Sequence, residues 1–269
     1  MSKLPTAWKS WILNNLLRGV PAASLHEKLV QEGFSDVLIR PLLQGNLPDD
    51  FSYSEDEKFY STLTQPHILQ QSTPALTDWS TPSFQIVQID DLFSADECAR
   101  LCAKIKKHLR PSDISTEKVG AHQSFRTSST CDLPQVDTAL SDLANQRILA
   151  LFGKSFGSGE PIQAQHYRVG QEFKAHTDYF EPATSEYKRF ASELGQRTWT
   201  CMVYLNDVEE GGETEFSHIA HRFTPYPGRA LLWNNLNAQG IVNPASIHQA
   251  HPVIKGEKTV ITKWLRTRC

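Results

Sequence analysis

From Gly159 onward the chain breaks into short runs of β-branched and aromatic residues: IQAQHYRV, FKAHTD, TWTCMVYLN, TEFSHI, RALLWNNL, SIHQAHPV and KTVITKWLR. Turn signals such as EEGG and KGE separate them. Runs this short cannot each bury an apolar face alone, so they must pair and stack on one another. Many short strands at such spacing predict a sandwich or jelly roll with helices on one side. Within EEGG, Gly211-Gly212 is read as a hairpin turn, because glycine tolerates the positive φ such turns need.

Upstream, FQIVQIDDLF alternates like a strand, and Ser94 with Glu97 forms a capping box that opens a helix through Leu101 and Ile105. VDTALSDLANQRILALFG reads as a second helix, stopped by Gly153. Residues 47–82 are rich in Ser, Thr, Pro, Asp and Gln, the texture of a linker with at most a short helix inside it. Residues 1–46 read as three helices. Thr6 caps the first, whose Trp8, Trp11, Ile12 and Leu16 repeat at helical spacing. Pro21 starts the second, which ends at Gly33, and Ser35 caps the third. The expected fold is therefore α+β: a small N-terminal helical domain over 1–46, a linker over 47–82, and a strand-rich domain with supporting helices over 83–269.

Charge narrows the partners. With a net charge of −3 and no long Lys/Arg block, the chain lacks the basic footprint of a polynucleotide binder. No apolar run approaches the roughly 20 residues a membrane span requires. Five cysteines, Cys98, Cys102, Cys131, Cys201 and Cys269, are odd in number and irregularly spaced, as reduced thiols in a cytoplasmic protein would be. Cys98 and Cys102 stand four apart on one helix and are read as small packed hydrophobes.

The chemistry gathers around YRVGQEFKAHTDYF. On an extended strand His176 and Asp178, two apart, project the same way and could grip one ion. Chance alone supplies such a pair in a chain with ten histidines, so a third ligand decides. His218, His221, His248 and His251 follow the pair. Two histidines and one carboxylate on one face are the arrangement that holds non-haem Fe(II) with open positions. A dicarboxylate co-substrate then needs a cation for its far end, and Lys258 and Arg266 are the candidates.

YRVGQEFKAHTD, followed by HQAHPVIKGEK and KWLR, resembles the prolyl 4-hydroxylase-type family of Fe(II)/2-oxoglutarate dioxygenases. The family pattern runs Tyr, two residues, Gly, then His-x-Asp, with a distal His ten residues before a Lys. Ten back from Lys258 is His248, whereas His251 stands only seven back. Pro252-Val253 and Trp264 fall in the same register. The resemblance runs from about Phe84 to Arg266 and implies a double-stranded β-helix, or jelly roll. It implies His176, Asp178 and His248 as metal ligands and as the catalytic centre, with Lys258 and Tyr167 holding the far carboxylate of 2-oxoglutarate. Thr214 and Trp264 join that co-substrate pocket. FRTSST places Arg126 at the rim or back of the site, and RTWTCMVYLN places Arg197 on the substrate side, with Glu160 and Trp233 as further lining residues. The cofactors implied are Fe(II), 2-oxoglutarate and O2, with ascorbate as reductant.

What the resemblance implies is hydroxylation of an amino-acid side chain, prolyl in a peptide or protein, coupled to decarboxylation of 2-oxoglutarate. One departure bears on the substrate: where the family commonly has a second tyrosine three residues before the metal histidine, this chain has Phe173. Two alternatives stay open, a dioxygenase acting on another small molecule or on nucleic acid, and a non-catalytic interaction module on the same barrel. Repair-type dioxygenases use arginine at the carboxylate anchor, but here Lys258 holds the register. The polar insertion from Tyr179 to Gln196 reads as a lid or substrate loop, and the N-terminal helices as a surface for a protein partner or for dimerisation. His218 and His221 read as surface or supporting residues, and His166, facing opposite to Tyr167, as outward or packed.

Overall fold

The computed structural model describes residues 4–53, 55–70, 76–112, 125–153, 156–157 and 159–268. It begins with helices α1 (Thr6–Leu17), α2 (Ala22–Gln31), α3 (Asp36–Leu43) and α4 (Glu57–Leu63). Strands β1 (Leu76–Asp78) and β2 (Ile86–Ile89), helix α5 (Ala95–Ile105) and strands β3 (Arg110–Pro111) and β4 (Ser129–Asp132) follow. Next come α6 (Leu133–Val136), α7 (Thr138–Phe152), β5 (Gln163–Tyr167), β6 (Phe173–His176), α8 (Ser185–Phe190) and β7 (Arg197–Tyr204). The chain finishes with β8 (Glu210–Gly211), β9 (Thr214–Phe216), β10 (His221–Phe223), β11 (Ala230–Asn234), β12 (His248–Ala250), β13 (Val253–Lys255) and β14 (Lys258–Arg266).

The strands form an eight-stranded sheet in the order β1-β2-β11-β7-β14-β5-β4-β3 and a four-stranded sheet in the order β10-β9-β12-β6, with β13 and β8 as a separate pair. Period-two alternation gives the large sheet two apolar faces. Trp199, Cys201 and Val203 of β7, Leu232 of β11 and Ile261 and Leu265 of β14 pack with Leu101 and Ile105 of α5 and Ile148 and Phe152 of α7. Their neighbours Met202, Tyr204, Leu231, Trp233 and Val260 turn the other way and meet Phe216 and Phe223 of the small sheet. Two sheets with helices covering one outer face is the layering expected from the strand spacing.

Local signals hold at several ends. Ser94 and Glu97 make the reciprocal capping box at the start of α5, and Gly153, at φ 90°, stops α7. Others differ. Helix α1 is preceded by Pro5 and has no side-chain cap, Thr6 being already helical. Pro21 sits at the cap position of α2, just before its first turn. Ser35 occupies the cap position of α3 but its side chain makes no capping bond, and its buried hydroxyl has no hydrogen-bond partner among the described residues.

Residues 47–82 do more than connect. Tyr60 and Leu63 of α4, with Ile68, belong to the main core. Buried Trp199 donates its indole N–H to the Leu63 carbonyl at 2.7 Å. Strand β1 then pairs with β2 at the sheet edge. The polar composition hid this because the docking rests on a few apolar side chains, Phe59, Tyr60, Leu63, Ile68 and Leu69 among them, set between polar residues. Helices α1–α3 gather Ile12, Leu25, Leu29, Phe34, Ile39 and Leu43 in a cluster of their own. Cys98, Cys131 and Cys201 are buried and unpaired, and burial raises each thiol above its ordinary range. No helix among the described residues is long and apolar enough to cross a membrane.

Candidate functional site

Between the two sheets lies a cavity of about 450 Å³. Strand β14 supplies one wall by simple alternation: Lys258, Val260, Thr262 and Trp264 all line it, each two residues from the last. The opposite wall is made where β6 pairs with β12. Their register sets His176 directly across from His248, and Asp178 follows two residues after His176, just past the strand end. One ligand atom from each of these three residues falls within a group whose members are all within 4.8 Å of one another.

The imidazoles are oriented by backbone. His176 Nδ1 lies 2.7 Å from the Lys174 carbonyl and His248 Nδ1 lies 2.9 Å from the Ser246 carbonyl. A carbonyl only accepts, so each Nδ1 carries a proton and Nε2 is the ring nitrogen left to face an ion. Burial, then the neighbouring His248, push the His176 imidazole well below its ordinary pKa, so it is neutral. Burial opposes ionisation of Asp178, but the Arg197 guanidinium and the hydrogen bond from the Thr200 hydroxyl hold the carboxyl below its usual range. Two imidazoles and one carboxylate on one face fit a divalent iron with open positions. His251 is not part of this group; it pairs with Glu215 at 2.6 Å. His218 is exposed beside Ser83, His221 stacks on Trp79, and His166 is packed against Thr259.

Lys258 is the other charged feature. It is 1% exposed, and its ammonium donates to the Gly212 carbonyl at 2.8 Å and sits 4.6 Å over the Tyr167 ring. Burial pushes it down to about 7, with only Glu213 acting in the opposite sense. Tyr167, its cross-strand partner on β5, offers Lys258 a ring face while its hydroxyl donates to Gln165 at 2.9 Å. The hydroxyl thus points at Gln165 and the ring meets the ammonium in a cation–π contact. Gly212 is more than a hairpin residue. At φ 74° it follows Gly211, whose added Cβ would come 2.4 Å from the Pro252 carbonyl, so the tight path of this turn presents the carbonyl that holds Lys258.

The remaining expected residues, Thr214, Trp264, Arg197, Arg126, Glu160 and Trp233, all line the same cavity. Arg197 makes a two-pronged bond to Glu160 at 2.6 and 2.7 Å, donates to the Asp178 carbonyl at 3.2 Å and lies 4.1 Å over the Trp264 ring. Arg266 also reaches Glu160 at 2.6 Å, and the two guanidiniums outweigh burial to keep that carboxyl ionised. Arg266 is therefore committed to Glu160, whereas Lys258 makes no ion pair among the described residues. Arg126 donates to Ser128 and Gln163 and covers the Phe173 ring at 5.0 Å. Phe173 itself stacks on His176 with centroids 3.5 Å apart. Trp233 packs edge-on against His248, and its indole N–H, like the Trp264 indole and the Thr214 hydroxyl, has no hydrogen-bond partner among the described residues.

Sequence reasoning missed Thr200 and Asn235. The Thr200 hydroxyl donates to Asp178 at 2.7 Å and accepts from Asn235 at 2.9 Å, which fixes the carboxylate. Alternation along β7 could have found Thr200, since it shares a face with Met202. Asn235 lies past the end of β11 and left no such signal.

The "2OG-Fe(II) oxygenase superfamily" model matches residues 162–266. The Arabidopsis thaliana protein named "Probable prolyl 4-hydroxylase 10" is 32% identical over 197 residues, covering 65% of this chain and 66% of that one. "Probable prolyl 4-hydroxylase 3" of the same plant is 30% identical over 196 residues, covering 65% and 67%. Mus musculus "Prolyl 4-hydroxylase subunit alpha-1" is 30% identical over 193 residues, but the match spans only 36% of its length. A crystal structure of viral collagen prolyl hydroxylase from Paramecium Bursaria Chlorella virus-1 aligns at 22% identity and a TM-score of 0.47, over 68% of this chain and 96% of that one. Sequence likeness to the plant proteins over two thirds of their length, together with the family-model match, identifies the chain as a member of the prolyl 4-hydroxylase-type 2OG-Fe(II) oxygenases.

Proposed function

We propose that the protein is an Fe(II)- and 2-oxoglutarate-dependent dioxygenase that hydroxylates a prolyl side chain in a peptide or protein. The single observation that carries this reading is the His176, Asp178 and His248 group sharing one cavity with a buried Lys258 that has no ion pair among the described residues. A lysine so placed is costly in a folded chain, and an anionic ligand removes the cost. His176, Asp178 and His248 would hold the iron through Nε2, Nε2 and one carboxylate oxygen. Bound iron supplies oxygen activation coupled to decarboxylation of 2-oxoglutarate.

The chain's own residues do the rest. Lys258 meets the far carboxylate and regains its full charge, with the Tyr167 ring beneath it. Thr214 and Trp264 offer unpaired polar hydrogens to the same pocket. Thr200 and Asn235 hold Asp178 in place, and the Arg197–Glu160 pair, braced by Arg266, keeps the floor beside Trp264 rigid while the substrate enters. The insertion over 179–196 supplies Tyr179, Phe180, Glu181 and Glu186 to the cavity wall and is assigned to excluding water and seating the peptide. Phe173 lacks the hydroxyl common at that position, so this side chain offers the peptide no hydrogen bond there. We further assign residues 1–46 to a helical domain that contacts a protein partner or a second copy, residues 83–269 to the double-stranded β-helix, the cytoplasm as location, and ascorbate as reductant.

Protein purified with Fe(II), ascorbate and 2-oxoglutarate is offered synthetic proline-containing peptides, with succinate release and the peptide's gain of one oxygen read by mass spectrometry. Succinate without peptide oxidation would retain the dioxygenase and reject the prolyl substrate. Failure to bind 2-oxoglutarate at all would reject the dioxygenase and leave the interaction-module reading.

A further inference from the structure

The insertion between β6 and β7 has two faces. One lines the cavity through Tyr179, Phe180, Glu181 and Glu186. The other meets the turn between α2 and α3, far away in sequence. There the Glu32 carbonyl accepts a hydrogen bond from the Ala183 amide at 2.7 Å. The Glu32 residue is only 2% exposed, and its carboxylate is held between Lys28 of its own helix at 2.8 Å and Lys188 of α8 at 3.0 Å. Gly33 follows with φ +92°, and a Cβ built on it would lie 2.6 Å from the buried Tyr187 ring of α8. Ala183, itself at φ 65°, packs against the apolar cluster of the N-terminal helices.

These contacts are needed for a physical reason. Helix α8 has six residues, too few to be stable by its own hydrogen bonds. The second half of the insertion is tied to the strand-rich body: Arg266 donates to the Phe190 carbonyl and the Thr267 hydroxyl accepts from the Gln196 amide. The first half, residues 181–188, carries the cavity-lining glutamates and takes these contacts from the α2–α3 turn. A carboxylate withdrawn from water requires cations, and one of the two it has comes from the insertion.

We infer that the α2–α3 turn, through Glu32 and Gly33, positions the cavity-lining insertion, so that the N-terminal helices set the shape of the mouth through which substrate enters. Glu32 and Lys188 are positioning residues, acting through Glu181 and Glu186. Calling that mouth a substrate entrance rests on the dioxygenase reading; the coupling itself does not, and the test below uses unliganded protein, so the two can fail separately.

Amide hydrogen exchange of the full chain is compared for wild type, Lys188→Met, Lys188→Arg and Glu32→Gln. Opening of a weakly held segment is governed by its own contacts. Lys188→Met and Glu32→Gln should therefore speed exchange over 180–188 by about threefold or more while β14 amides keep the wild-type rate. Lys188→Arg should restore protection. Gly33→Ala, which presses on Tyr187 from the other side, should loosen the same segment. Unchanged exchange over 180–188 in Lys188→Met and Glu32→Gln, or an equal increase in β14, overturns the inference.

Discussion

Lys258→Met is expected to make the metal-free protein more stable while removing its hold on 2-oxoglutarate. The buried ammonium is held down to about 7 from its ordinary 10.5. At about 1.4 kcal/mol per pH unit, carrying the charge inside costs about 5 kcal/mol. At pH 7 the folded lysine is half neutral, which trims the cost to about 4 kcal/mol. Losing the bond to the Gly212 carbonyl gives back about 1 kcal/mol, so the net gain is about 3 kcal/mol. For a chain of this size that is a rise in Tm of roughly 6 °C. The pH dependence carries the stricter test. Unfolded, the lysine keeps its proton up to about 10.5; folded, only to about 7, so between these values unfolding takes up a proton and wild-type stability climbs with pH. The variant lacks that climb. Its advantage is full below pH 7, shrinks through pH 8 and 9 and vanishes near pH 10. Thermal melts of chelator-treated protein by circular dichroism, at steps from pH 6.5 to 10, measure it. A variant that melts at or below wild type at pH 7, or whose advantage is the same at pH 10, refutes the reasoning.

Further outcomes test the rest of the site and its frame. Removing one of three ligands in His248→Ala should weaken Co(II) or Mn(II) binding by about 100-fold or more, whereas His251→Ala, which breaks only the contact with Glu215, should change it little; calorimetric titration separates them. Glu160→Gln leaves the Arg197 and Arg266 guanidiniums without their shared counter-charge and should cost about 3 kcal/mol in urea unfolding. Leu63→Ala should cost about 3 kcal/mol in the same assay, because α4 is part of the main core; a detached linker would give no change.

Legibility in the sequence followed the range of the cause. Alternation is local, so the strands β5, β7, β11 and β14 and the shared face of Lys258, Thr262 and Trp264 could be read from period two alone. The capping box of α5 and the stop at Gly153 are also local. The metal-type group was legible in two steps: His176 and Asp178 as neighbours on one side by spacing, and His248 through the family resemblance, whose distal histidine stands ten residues before the lysine. What spacing could not supply was the reason His248 rather than His251 completes the group. That comes from the β6–β12 register, which sets His248 opposite His176 and sends His251 to Glu215.

Pairing across long stretches of chain decided the remainder. In the sequence Arg197 read as a substrate-side residue and Arg266 as a candidate anchor, and only the fold brings both to Glu160. The polar segment 47–82 hid a docked helix because burial of Tyr60 and Leu63 depends on Trp199, over a hundred residues away. The contact of Glu32 with Lys188 joins two segments that share no motif. The sequence by itself determined the strand-rich class and the chemical kind of the site, because periodicity and ligand type are properties of near neighbours. Which charge neutralises which, and which helix holds which loop, was decided by the tertiary structure, because an ion pair or a buried ring depends on distance in space and carries no fixed spacing along the chain.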